Sequence, residues 1–356
     1  MLVEDLTQQL AETLTSRALA LFGHPVARVV LQSSPAGDLS TPVAIELATA
    51  LKRDVRAVAE QLSNGMELPF LVESVTANES GELLFRFDRG GFTASQFRAV
   101  MLPPPARGAR VSVVYPGALA DLTRVRSAVL ADAYARCARW LGYRVEVLHE
   151  PNEPRLGIAN EPESETPLRL GEPKRIELHS APVTSTPAPV DDWFASFEKK
   201  SGSREISIAA IRYAMLRDAR EEAIVIDIER ALRVDGDSGP YLLQSLARAQ
   251  NVVQVDERDV DDLTLHQGLS DAMWELVWAT AELPGVIRRA VDAGEPSLVA
   301  QALLALAEKF DRFAERFPLA TEDVAERQRR AVCVEVFRRT MVAGLELLGI
   351  PVPAMG

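Results

Sequence analysis

Residues that could carry acid–base, nucleophilic or metal chemistry are few and scattered in this chain of 356 residues. A zinc site or a disulfide framework needs more thiols, or histidines at ligand spacing. The two cysteines, Cys137 and Cys333, instead lie far apart inside helical patterns, and the four histidines share no such spacing: His24, His149, His179 and His266. We predict two buried thiols in a reducing cytoplasm, no metal and no cofactor.

Two acidic groups have the residue types of a cation site. His149, Glu150 and Glu153 begin a Pro- and Glu-rich stretch, and five carboxylates fall within 256–262. Acids in such settings are more often solvated linker or the first turn of a helix than ligands. We interpret both groups as solvated surface.

The loops that bind phosphates or expose a nucleophilic serine are missing from the sequence. GxxxxGK[ST] and GxGxxG use backbone amides to hold phosphates, and G-x-S-x-G places a serine on a sharp turn. None of the three occurs. P-loop, dinucleotide-binding and serine-hydrolase chemistry therefore have no support in the sequence.

The net charge of −12 argues against a general nucleic-acid coat, which would be basic. A local basic patch remains compatible with it, and RNA binding at such a patch should be site-specific and sensitive to salt. The first residues do not resemble a signal peptide, and no apolar stretch is long enough to cross a bilayer. We expect a cytoplasmic protein that does not enter a membrane.

The first 105 residues have the alternating patterns of an α+β domain. A turn-rich loop over 33–41 ends at Thr41 and Pro42, which predict an N-cap and a first helical residue. The predicted elements are helices over 4–22, from Pro42 and over 55–62, and strands over 26–31, 70–75 and 83–88, with a hairpin turn at 78–81.

The next segment, 106–190, contains one strand–helix–strand pattern over 110–115, 120–141 and 143–148. A single βαβ unit cannot cover both faces of a parallel sheet, so we interpret it as the remnant of a larger nucleotide-binding-like fold. The Pro- and Glu-rich sequence from 150 to 190 is typical of a linker, with a short strand conceivable at 175–179.

From residue 191 the pattern is helical almost throughout, which predicts an all-α bundle. Gly349 and Pro351 predict the end of the last helix. Trp274 and Trp278, spaced i and i+4, are typical of core packing, with a base-stacking platform as the alternative. The predicted helices cover 206–216, 240–253, 265–281, 284–293, 297–317 and 322–348.

Four ordered motifs in this block resemble the anticodon-binding domain of arginyl-tRNA synthetases, the DALR fold. Residues 210–216 read AIRYAML, similar to the family's AIRYFLL, and 226–229 resemble its FDLDLA segment. Residues 236–241 read GDSGPY where the family has GNTGPY. The ending LELLGIPVP at 345–353 resembles the family's GLDLLGIEAPERM.

The first 105 residues resemble the additional amino-terminal domain of the same family more loosely. Gly37 and Asp38, followed by a helix, correspond to its GDYQ segment. The resemblance implies a domain that contacts the elbow of tRNA.

The middle of the chain departs from the family. The helix matching the family's LRS motif contains Arg126 and Ser127. The ATP signature HIGH precedes that motif in the family, but the corresponding positions here are Asp121, Leu122, Thr123 and Arg124. Residues 180–187 stand in the place of the second signature, KMSKS, and Lys199–Ser203 are interpreted as a solvated loop. An acid beside the triphosphate would repel it. The resemblance therefore implies a catalytic core that is largely deleted, with no catalytic residues.

The resemblance also implies where RNA would be contacted. Arg248 ends the helix that faces the anticodon loop in the family, and Arg312 matches a basic position in its FNRFYHN helix. The alternative for these arginines is a set of solvated surface charges. The predicted tRNA-binding residues are Tyr241, Gln244, Arg248, Arg312, Arg316, Arg338, Arg339 and Met355.

The sequence thus predicts an α+β protein of three parts: an N-terminal α+β domain (1–105), a vestigial βαβ segment with a Pro-rich linker (106–190) and an all-α anticodon-binding-like bundle (191–356). The expected function is a noncatalytic tRNA-binding adaptor or regulator, with arginine tRNA as a candidate and a tRNA-modifying enzyme as a candidate partner. The alternatives are a protein-interaction module that no longer binds RNA, and residual arginine–tRNA ligase activity.

Overall fold

A computed structural model describes residues 3–34, 37–104, 108–116, 120–150, 174–185, 190–251, 268–317 and 323–352. Its fold is α+β with a C-terminal helical bundle, as the sequence predicts. The chain divides into two compact units. Unit 1 comprises Met1–Ala99, Val255–Glu282 and Glu322–Cys333, and unit 2 comprises Val100–Gln254, Leu283–Thr321 and Val334–Gly356. The predicted division at residues 105 and 190 stays a prediction. None of the helices among the described residues is long and apolar enough to cross a membrane.

Unit 1 contains a four-stranded antiparallel sheet in the order β1-β2-β4-β3. Its hairpin turn was predicted correctly: the Asn78 side chain accepts the Glu82 amide hydrogen at 2.9 Å, and Gly81 adopts φ +85°. The elements are α1 (Val3–Phe22), β1 (Gln32–Ser33), β2 (Leu39–Thr41), α2 (Val43–Leu51), α3 (Val55–Ser63), β3 (Val72–Ala77), β4 (Leu83–Phe87) and α4 (Arg89–Ala99).

Two local predictions in unit 1 are wrong, and one helix was missed. The strand expected over 26–31 is absent there, and the chain pairs instead at Gln32–Ser33. Thr41 is not an N-cap: it lies buried in β2, and Pro42 occupies the cap position. Pairing of Leu39–Thr41 with β4 outweighs the turn preference of the residues before it. Helix α4 was missed because its first turn contains two glycines, which weaken the helical pattern.

An aromatic cluster fills the core of unit 1. Trp274 and Trp278 pack against Phe87 with ring centroids 5.9 and 5.4 Å apart, and against Phe92 at 5.2 and 5.6 Å. Both indoles are buried. The core-packing interpretation of the two tryptophans is confirmed.

Unit 2 contains the predicted βαβ unit, in which β5 (Arg110–Pro116) pairs in parallel with β6 (Arg144–Glu150) and α5 (Leu122–Trp140) connects them. Within 150–190 the short strand considered at 175–179 is present, whereas the linker prediction is wrong over 183–185. Strand β7 (Lys174–Glu177) adds to the other edge of β5, and β8 (Val183–Ser185) pairs in parallel with β9 (Ile224–Ile226). A parallel strand gains stability when both of its edges are paired, which explains why this polar sequence is ordered.

The remaining elements of unit 2 are helical. The predicted helices over 265–281 and 284–293 form one helix, α10, with Pro284 inside it. The last helix ends as predicted, at Gly349 with φ +67°. The helices are α6 (Val190–Ser201), α7 (Arg204–Leu216), α8 (Ile228–Ala231), α9 (Gly239–Gln250), α10 (Asp271–Ala293), α11 (Ser297–Arg316) and α12 (Val324–Leu347), of which α10 and α12 also contribute residues to unit 1.

Candidate functional site

The positions that, by the resemblance, stand in the place of the first ATP signature begin helix α5. Asp121 is the N-cap: its Oδ1 accepts the backbone N–H of Arg124 at 2.9 Å, and its Oδ2 lies 3.8 Å from the Arg124 guanidinium. A helix N-terminus favours an anion, and here the chain supplies that anion itself. A nucleotide phosphate at this position would meet a carboxylate.

The positions that correspond to the second signature pack directly on the first. The backbone N–H of Val183 donates to Thr123 Oγ1 at 3.0 Å. Leu122 and Val183 belong to one buried apolar cluster, together with Trp193 and Phe197 of α6. Each of the four positions singled out at the start of α5 thus has its own role. Asp121 caps the helix, Leu122 lies in the core and Thr123 binds the β8 segment. Arg124 is exposed.

The residue that anchors this region, Arg126, was not recognised from the sequence as anything beyond a motif match. Its side chain is fully buried. The guanidinium donates to the backbone carbonyls of Met215 (3.0 Å), Glu222 (2.7 Å), Asp218 (2.9 Å) and Ala219 (2.8 Å). Burial lowers its pKa below the ordinary value, and nearby carboxylates oppose that shift. Arg126 therefore satisfies carbonyls at and beyond the C-terminal end of α7.

Three side chains of α9 converge on one carboxylate of α11. Asp311 accepts from Arg248 Nη1 at 2.7 Å and from Ser245 Oγ at 3.2 Å, and the Tyr241 hydroxyl is hydrogen-bonded to it as well. Burial and this hydrogen bond raise the pKa of Tyr241. Gln244 of the same helix is exposed. The structure thus brings together two of the predicted RNA-binding residues, Tyr241 and Arg248. Both are already hydrogen-bonded to the Asp311 carboxylate.

On α12 a second carboxylate, that of Glu335, also accepts hydrogen bonds from predicted RNA-binding residues. Glu335 accepts from Arg338 Nε at 2.7 Å and from Arg339 Nε at 2.8 Å, one helical turn along. Burial opposes ionisation of this carboxylate, but the two guanidinium groups hold the pKa of Glu335 below its ordinary value. Arg338 and Arg339 are therefore ion-paired within their own helix.

The remaining predicted arginines are exposed. Arg312 and Arg316 lie one turn apart on α11, with the Arg316 guanidinium 5.4 Å from the centroid of the Phe317 ring. Among the described residues neither has a carboxylate partner within 4.0 Å. Met355 lies outside the described residues. Arg312 and Arg316 are the predicted residues best placed to meet a phosphate.

Among the described residues, the groups considered for other chemistry form no second site. Cys137 and Cys333 are buried free thiols, and burial raises the pKa of each to about 12. Within the part of the chain that the structure describes, no group of three His, Cys, Asp or Glu side chains could hold a metal ion. The side chains of His149 and Glu150, residue Glu153 and the acids of 256–262 lie outside that part.

Two family models match the chain. Residues 4–86 match the arginyl tRNA synthetase N terminal domain, and residues 242–355 match the DALR anticodon binding domain. The chain thus resembles the arginyl-tRNA synthetase family in two domains, one near each end. Their order and positions agree with the resemblance seen in the sequence, and Arg248, Arg312 and Arg338 all fall inside the DALR domain.

Curated sequence relatives of the chain include arginine–tRNA ligases. The enzyme of Lactococcus lactis subsp. lactis is 28% identical over 156 residues, which are 44% of this chain and 28% of that protein. The enzyme of Ignicoccus hospitalis is 30% identical over 153 residues, or 42% of this chain and 24% of that protein. The matched part of the chain thus spans about a quarter of the length of these relatives.

Solved structures share the fold along nearly the whole chain. Arginyl-tRNA synthetase from Thermus thermophilus aligns with a TM-score of 0.75 and 17% identity, covering 98% of this chain and 99% of that one. The enzyme from Plasmodium falciparum aligns with a TM-score of 0.76 and 9% identity, covering 98% of both chains. At these identities the likeness concerns the fold alone.

Proposed function

We propose that this protein is a noncatalytic relative of arginyl-tRNA synthetase that binds tRNA as an adaptor or regulator in the cytoplasm. Its two matched domains are, in the sequence resemblance, the parts that grip the elbow and the anticodon stem. Arginine tRNA is one candidate, and a tRNA-modifying enzyme is a candidate protein partner that would receive the bound tRNA.

The observation that carries the noncatalytic part of the proposal is the hydrogen bond from Val183 to Thr123. In a class I synthetase the two signatures hold ATP between them, as the resemblance implies. Here the corresponding segments bond to each other, and Leu122 and Val183 share one apolar core. The Asp121 carboxylate adds repulsion at the helix end where a phosphate would be stabilised.

The tRNA-binding part is supported by the DALR match and by the exposed pair Arg312 and Arg316. Arginines contribute to RNA affinity through phosphate contacts, each of which changes the salt slope by about one. We expect the purified protein to retain a restricted set of tRNAs from total tRNA at low salt, and sequencing of the retained species names them.

A charge-matched pair of variants tests the assignment. Arg312→Ala with Arg316→Ala should weaken tRNA binding by about 10-fold or more and reduce the salt slope by about two. Arg204→Ala with Arg230→Ala removes two exposed arginines elsewhere in unit 2 and should leave both quantities near the wild-type values. Equal losses in the two variants would mean that only overall charge matters. Arginine-dependent ATP–pyrophosphate exchange by the wild-type protein would contradict the noncatalytic assignment.

A protein-interaction module without RNA binding is the second candidate. The observations that favour it are the net charge of −12 and the ion pairs that occupy Arg248, Arg338 and Arg339. The retention experiment separates the two functions, because a protein of this second kind would retain no tRNA even at low salt.

A further inference from the structure

Two largely buried carboxylates lie among the arginines of the candidate interface. The side chain of Asp311 is 16% exposed and that of Glu335 is 12% exposed. Asp311 holds Arg248, and Glu335 holds both Arg338 and Arg339. Tyr241 is also hydrogen-bonded to Asp311. Four of the eight residues predicted to bind tRNA are thus bonded to one of these two acids.

Both acids lie close in sequence to a contact between α11 and α12. Phe310, which precedes Asp311, stacks on Phe337 of α12 with ring centroids 4.1 Å apart and an interplanar angle of 11°. Arg338 follows Phe337 directly. The two acids therefore flank one packed contact between α11 and α12, at which the helices are held together.

An arginine in such a pair attracts a phosphate much less than an exposed arginine does. A phosphate that approaches Arg248 also approaches the Asp311 carboxylate, and the two interactions have opposite signs. Displacing the carboxylate would leave a poorly solvated acid without its partner, which is costly. Sequence-independent attraction at this face therefore comes mainly from Arg312 and Arg316.

We propose that Asp311 and Glu335 are specificity-determining residues of this interface, which neutralise Arg248, Arg338 and Arg339 and so suppress unselective binding of RNA phosphates. The inference rests on the proposed function, because it concerns selection among RNAs at the same face. Lower phosphate attraction weakens binding to every RNA, whereas contacts specific to one tRNA are kept, so the ratio of specific to non-specific affinity rises.

The test is a gain of binding. Asp311→Asn should tighten binding of unselected total tRNA by about 3- to 10-fold, and Glu335→Gln should tighten it in the same direction because it removes the carboxylate that Arg338 and Arg339 share. The salt slope should become steeper by about one for Asp311→Asn and should also become steeper for Glu335→Gln. The fraction of retained RNA that belongs to the preferred species should fall in both variants.

The matched control is Glu315→Gln, which removes one exposed carboxylate from the same helix α11 and changes the net charge equally. It should alter affinity by less than about 2-fold. In the double variant Arg248→Gln with Asp311→Asn, the gain should disappear, since no guanidinium is released. Circular dichroism and melting temperature establish that each variant is folded.

The outcomes separate the inference from the function on which it rests. If Asp311→Asn and Glu335→Gln leave tRNA binding unchanged, or if Glu315→Gln changes it by as much, the inference is overturned. The tRNA-binding function itself is then unaffected. Absence of binding in the wild type, with binding in the two neutralised variants, supports the inference and overturns the native tRNA-binding function. Absence of binding in every folded variant overturns both.

Discussion

The backbone N–H of Val183 donates to the hydroxyl of Thr123 at 3.0 Å, although 60 residues separate the two in sequence. The hydrogen bond joins the start of β8 to the first turn of α5. Both residues stand at positions that, by the resemblance, correspond to the two ATP signatures, and the proposed noncatalytic function rests on this bond.

Removing the Thr123 hydroxyl should destabilise the protein. Thr123→Val keeps the shape of the side chain but leaves the partly buried Val183 N–H without its acceptor, which should lower the free energy of unfolding by about 1–2 kcal/mol. Thr123→Ser keeps the acceptor and should lose less than half as much. Urea unfolding measures both, and equal losses would show that the methyl group, not the hydrogen bond, matters.

Arg126 should be the most sensitive charged position of unit 2. Arg126→Met removes the donor for four backbone carbonyls at once and should lower the free energy of unfolding by about 3–5 kcal/mol. Arg126→Lys should recover little, because an ammonium cannot reproduce the planar fork. Arg124→Met, on the exposed side of the same helix, should change stability by less than about 0.5 kcal/mol, and a comparable loss there would contradict the assignment.

The sequence predicts those helices and contacts that depend on residues close together in the chain. It does not predict those that depend on residues far apart. The helices α1, α7, α9 and α11 follow from local periodicity, and the pairing of Glu335 with Arg338 and Arg339 uses i, i+3 and i, i+4 spacings that are visible in the sequence. The sequence itself indicated a short strand at the position of β7, whereas β2 and β8 could not be predicted because only distant partners order them.

The same reasoning applies to the candidate site. Arg248 is an exposed basic residue by every local criterion, and its partner Asp311 lies 63 residues further along the chain. The carbonyls that bind Arg126 lie 89 to 96 residues away. Residue types and motifs therefore indicated which arginines to consider, whereas only the packed structure distinguishes the ion-paired arginines from the exposed ones.

Gly349 should be required at the end of the last helix for a steric reason as well as a conformational one. It adopts φ +67°, and a Cβ there would lie 2.5 Å from the Arg212 guanidinium. That guanidinium cannot move freely, because it donates to the Leu348 carbonyl and to Asp132, each at 2.6 Å. Gly349→Ala should therefore lower the free energy of unfolding by about 2–3 kcal/mol.

Gly236 offers the matched control for that substitution. It has φ +82°, and an added Cβ would meet no atom within 4 Å. Gly236→Ala should cost only about 1 kcal/mol, the penalty of the left-handed conformation. If thermal unfolding shows the same loss for both alanine variants, the contact with Arg212 has no part in stabilising the helix end.

The buried thiols should make the protein less stable in mild alkali. Burial raises the pKa of Cys137 and Cys333 to about 12, whereas a thiol in the unfolded chain titrates near about 8.5. The folded state therefore holds these protons more tightly, so the stabilisation is complete below about pH 8.5 and is lost as the pH rises towards 12. The slope should reach at most about 1.4 kcal/mol per pH unit for each thiol.

Urea unfolding of the wild type and of the double variant Cys137→Ala with Cys333→Ala, measured between pH 8 and pH 10, checks this expectation. The double variant should show a flatter dependence across that interval, even though its absolute stability is lower from the loss of packing. Tyr134, whose pKa burial also raises to about 12, titrates near about 10 when unfolded and so affects mainly the upper end of the range. Equal slopes for the two proteins would show that the thiols do not control alkaline stability.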